Sequence, residues 1–149
     1  MSRGQLLPSA SRKSGAHDDA IRDERLGRLR EVVEGFTFNI ATLVAGCEAD
    51  LEAYADTSVA LRVRSTLSPF LQGSERIRPD FGPYGELRIA GDLLDDDGSV
   101  TALLRFEDRS FRETDDGRLR PSPRRRVTFE MAIPLRRMTV ASLSVSTNG

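Results

Sequence analysis

The sequence predicts an α+β fold, with a long or broken amphipathic helix packed in two layers on an antiparallel meander of about five strands. Three observations carry this expectation. Apolar residues recur at alternating spacings of three and four between Leu26 and Cys47, they switch to a spacing of two in several runs after Asp56, and turn residues separate those later runs. The 149 residues suit one domain, and 38% apolar side chains with a net charge of −1 leave enough material for a core.

Residues 1–17 mix Ser, Arg, Gly and Pro, with Leu6 and Leu7 as the large apolar side chains after Met1. Those two are too few to offset the entropy of ordering the segment, so a disordered tail is expected, followed by a single domain over 18–149. An acid-free tail can also act as a transit or docking peptide, here anchored by Leu6-Leu7-Pro8; it lacks the apolar stretch of a secretory signal.

Residues 18–56 are expected to be helical. Leu26, Leu29, Val33, Phe36, Ile40, Leu43 and Cys47 form one seam, and Asp18, Asp19, Asp23 and Glu24 crowd the positive end of the helix dipole. Gly35 and Gly46 are the candidate breaks, because glycine costs about 1 kcal/mol against alanine inside a helix. Unbroken from about 19 to 55, the helix would reach about 55 Å at a rise of about 1.5 Å per residue. A domain of this size cannot cover that length, so the helix must break or pack against another copy.

Residues 57–149 are expected to be β-rich. Val59, Leu61 and Val63 alternate with polar or small neighbours and predict a strand, and the Pro- and Gly-rich residues 67–85 predict a connecting loop. Strands over 86–94 and 100–107 flank Asp95-Asp96-Asp97-Gly98, a hairpin signal. A mobile arginine-rich loop is expected over 114–126, then a strand carrying Val127, Phe129, Met131 and Ile133 that Pro134 ends, then a last strand over 139–146.

The residues that carry chemistry are sparse. His17 lies in the expected tail, so a nucleophile in the domain has no imidazole base beside it, and Cys47 sits on the apolar seam as a small buried hydrophobe. Read as a calcium loop with Gly98 sixth, the acidic turn puts Leu93 and Leu104 where ligands belong. Gly82-Pro83-Tyr84-Gly85 lacks the spacing of a phosphate loop, and Glu86, Glu107, Asp108 and Glu130 read as cross-strand partners of arginines. No catalytic residue, cofactor or metal is expected. After the tail the longest charge-free run spans residues 35–47, short of the roughly 20 apolar residues of a membrane helix.

Arginine supplies 21 of the 22 basic residues, and charge is segregated: −6 over 18–56 and +4 over 114–149. The leading expectation is a non-enzymatic interaction or assembly module in the cytoplasm, a homo-oligomer or one subunit of a larger complex. Leu26, Leu29, Val33 and Phe36 would carry the contact, and Arg118, Arg120, Arg124, Arg125 and Arg126 would orient it. A second expectation is an apolar ligand pocket between helix and sheet lined by Tyr84, Phe106, Phe129 and Met131; a third is nucleic-acid binding through the arginine loop.

Overall fold

Among the described residues two helices precede seven strands in chain order: α1 (Arg3–Val44), a 3-10 turn (Leu51–Ala53), α2 (Thr57–Leu71), β1 (Arg76–Arg78), β2 (Leu87–Ala90), β3 (Ser99–Asp108), β4 (Phe111–Glu113), β5 (Leu119–Pro121), β6 (Arg125–Pro134) and β7 (Ser142–Asn148). The computed structural model describes residues 3–71, 76–82 and 84–148, with side chains from residue 15 on except those of 68–71. The class is α+β as expected, with seven strands instead of about five.

One antiparallel sheet has the order β2-β3-β6-β7 and a smaller one the order β1-β4-β5. The ribbon of β3 and β6 is the spine of the first, pairing residue for residue from Ser99↔Pro134 to Asp108↔Arg125. Beyond a break at Ser110, whose carbonyl accepts from the Ser122 N–H at 3.1 Å, the same ribbon continues as β4 and β5. Alternation sends Val100, Ala102, Leu104 and Phe106 of β3 and Val127, Phe129, Met131 and Ile133 of β6 to one face, where all are buried. Leu29, Val33, Phe36, Ile40 and Leu43 of α1 share that core.

The helix corrects several expectations. It begins at Arg3, upstream of the expected start, so helical backbone includes positions read as a tail; the side chains of Leu6 and Leu7 lie outside the described residues. It ends at Val44, well short of 55. Gly46 adopts a φ of 85°, its N–H bonds the Leu43 carbonyl at 2.9 Å and the Cys47 N–H bonds the Thr42 carbonyl at 3.1 Å, a Schellman stop. Cys47 is therefore exposed beyond the helix end and not buried on the seam. Gly35 leaves the helix unbroken and has a different role: a Cβ there would lie 2.4 Å from the Tyr54 ring.

The strand expected near 57–64 is helix α2, and the loop expected over 67–85 holds the end of α2 and β1, with residues 72–75 outside the described residues. Val59, Ala60 and Val63 face inward at helical spacing while Leu61 is 58% exposed, so the apparent alternation was incidental. The expected mobile loop 114–126 is likewise ordered in large part: β4 and β5 form a hairpin around Gly117, and β6 begins at Arg125.

Asp56 locks helices to sheet. Its N–H donates to the Val140 carbonyl (2.9 Å), and its carboxylate accepts from Arg137 Nη2 (2.8 Å) and Thr139 Oγ1 (2.7 Å). The Val140 N–H returns a bond to the Tyr54 carbonyl at 2.8 Å, which sets Tyr54 beside α1.

Candidate functional site

Leu29, Val33 and Phe36 have no exposed surface, and their partners are the strands of their own chain. The folded domain therefore satisfies the seam internally, which removes these three from any external contact; Leu26, 39% exposed, is the one at the surface. Phe106, Phe129 and Met131 are equally committed. Phe106 packs against Phe81 (ring centroids 4.8 Å apart), Phe129 (5.1 Å) and Tyr84 (6.4 Å), so the expected helix-sheet pocket is filled by rings, and only Tyr84 of its four residues borders open space.

That open space is a surface groove of about 530 Å³ along the outer flank of α1. Glu31, Glu34, Phe38 and Asn39 reach it from α1, Tyr54 from the turn ahead of α2, and Tyr84 from the loop ahead of β2. Phe38 is 65% exposed, off the seam by two positions from Phe36. Asn39 is consumed by structure: its Nδ2 donates to the Gly35 carbonyl at 2.7 Å and its Oδ1 accepts from the Asp50 N–H at 3.1 Å. Tyr84 is fixed by its neighbour, since the Gly85 N–H bonds the Arg105 carbonyl at 2.8 Å, and a Cβ on Gly85 would come within 2.5 Å of that oxygen. Burial raises the Tyr84 phenol pKa, and the charge of Glu34 raises it further.

The arginine-rich hairpin lies on the surface. Arg118 pairs with Asp116 at 3.3 Å and Arg124 with Glu107 at 3.7 Å, while Arg120, Arg125 and Arg126 have no ion pair among the described residues. Arg78 of β1 grips Glu113 of β4 through two bonds (2.9 and 3.2 Å), and this bond, with the charges of Arg78 and Arg76, holds the Glu113 carboxyl below the usual carboxylate range. Glu52, bonded by Arg64, and Glu86, bonded by Arg88, are lowered in the same way. A depressed native pKa contributes stability above the unfolded-state value that is lost as pH falls through the native one. Acid should thus weaken the fold just below the ordinary carboxylate range, and carboxyl NMR titration should find these three glutamates ionised to lower pH than the same groups in the unfolded chain; added salt should shrink the difference.

The acidic turn is occupied by its own fold. Asp92 and Asp95 accept from the Leu94 and Asp97 N–H groups, Asp96 pairs with Arg25 of α1, and Asp97 pairs with Arg136. Among the described residues no group of three or more His, Cys, Asp or Glu side chains is placed to hold a metal ion, and no helix is long and apolar enough to cross a membrane.

No protein-family model, curated protein or solved structure matches this chain.

Proposed function

We propose that the protein is a non-enzymatic assembly module that pairs with a second copy of itself along the free edge of β7. The observation that carries this is the contrast between the two edges of the larger sheet. β2 is four residues long and carries Arg88, features that guard an edge against pairing. β7 is seven residues long with no charge and no proline, and residues 144–148 are all exposed, including Val145 at 54%. Nothing in its sequence opposes strand addition.

Among the described side chains, helix α2 meets this edge at its start, where Arg62 Nη2 donates to the Leu143 carbonyl at 2.6 Å. An arginine from α2 reaches that carbonyl on the side turned away from β6, so Leu143, Val145 and Thr147 form the outward set of backbone groups. Two copies laid antiparallel over residues 144–148 would oppose only hydroxyl, amide and valine side chains, with no like charges, and an isologous contact of this kind closes on itself. The surface arginines of the hairpin would orient the pair, and an exposed, unpaired Cys47 suits a reducing, cytoplasmic setting.

Size-exclusion chromatography with light scattering should give a mass near twice 16.5 kDa that falls on dilution. Val145→Lys puts a charge on the edge, and Thr147→Pro removes an outward N–H without touching the bonds to β6; both should leave a 16.5 kDa species with unchanged circular dichroism. A protein that stays at the single-chain mass when concentrated, or a multimer indifferent to both substitutions, would sink the proposal.

A further inference from the structure

We infer that the groove on the outer flank of α1 is a docking site for an arginine side chain presented by a polypeptide other than a second copy of this chain. This goes beyond pairing through β7 and rests on different residues.

The charged residues lining the groove are Glu31 and Glu34, one turn apart on α1, and neither has an ion pair among the described residues. Around them stand Phe38, Tyr54 and Tyr84, three of the nine aromatic side chains in the chain. Carboxylates beside aromatic faces suit a cation that is also flat, since guanidinium stacks on a ring while its N–H groups meet a carboxylate. The groove is a surface feature, and six of its seven lining residues belong to the segment of net charge −6. A basic side chain reaching in from outside meets no competing cation in its lining.

The positions of the rings are built into the fold. Gly35 supplies the clearance in which the Tyr54 ring lies, and Phe106 supports Tyr84 from beneath in an edge-on contact. Asn39, held at both ends, spaces the two walls. Phe38, 65% exposed, is not engaged by the core, so its ring is accessible to a cation entering the groove.

The chain has two tyrosines and no tryptophan, and both tyrosines line the groove, so tyrosine emission reads this site alone. The probe is a short glycine peptide carrying two arginines, titrated at low salt, with the same peptide bearing citrulline as the neutral control. A saturable change with arginine and none with citrulline is expected, weakening as salt is raised. Glu31→Gln with Glu34→Gln should weaken binding about fivefold to tenfold, and Phe38→Leu about threefold. Both variants alter exposed positions, so the fold survives them. No saturable change, or an equal response to citrulline, would overturn the inference. So would emission that shifts on diluting the protein alone and stops shifting in an Arg120→Gln, Arg125→Gln, Arg126→Gln variant, which would give the groove to a second copy's hairpin. The titration repeated on Val145→Lys separates this result from the fate of β7 pairing.

Discussion

Aspartate at Leu29 or Val33 should unfold the protein instead of splitting an oligomer. Both side chains are wholly buried, so either change loses the packing of a core aliphatic residue, about 2–5 kcal/mol for truncation of a leucine alone. It also strands a carboxylate among apolar neighbours, which costs several kcal/mol more or forces the group to stay protonated. Domains of this kind are stable by only about 5–15 kcal/mol, so the sum approaches the whole. Urea titration followed by circular dichroism should show a midpoint collapsed toward zero for both variants. Leu26→Asp, at a partly exposed position of the same seam, should shift stability by less than about 1 kcal/mol. Folded, half-mass species from Leu29→Asp would show instead that the seam is an interface between copies.

Phe106→Ala should be the most damaging truncation in the sheet, costing about 3–5 kcal/mol. The ring is 5% exposed and meets three others, each such pair contributing about 0.5–1.5 kcal/mol beyond its buried area. A residue lining an open ligand pocket would lose far less, because water already fills the space beside it. The same substitution removes the support under Tyr84, so the near-ultraviolet circular dichroism of the tyrosines should change even where the protein remains folded. Phe106→Leu, which refills most of the volume, should recover a large part of the stability and little of the tyrosine signal.

The destination of the helix seam was legible only in outline. The apolar period between Leu26 and Leu43 announces a helix with one buried face, but whether that face meets another copy or its own sheet depends on strands more than fifty residues away. The groove was missed for a related reason: its walls come from α1, from the turn ahead of α2 and from the loop ahead of β2, and no local pattern joins them. One signal was present in the sequence. Phe38 is a large aromatic residue two positions off the seam, which a helix must leave on another face.

By itself the sequence determined the class, the order of helices before strands, and the strands β3 and β6. A spacing of two sustained over Val100 to Phe106 and over Val127 to Ile133 can bury one face only as a strand, and no neighbour is needed to say so. Only the tertiary structure decided that residues 57–64 are helical, since Val59 and Val63 fit both periods, and the neighbours that bury Ala60 and leave Leu61 in water choose between them. It alone decided which strand ends the sheet. Edge position is a property of the pairing order, set by which backbone groups remain without a partner after every other strand has found one.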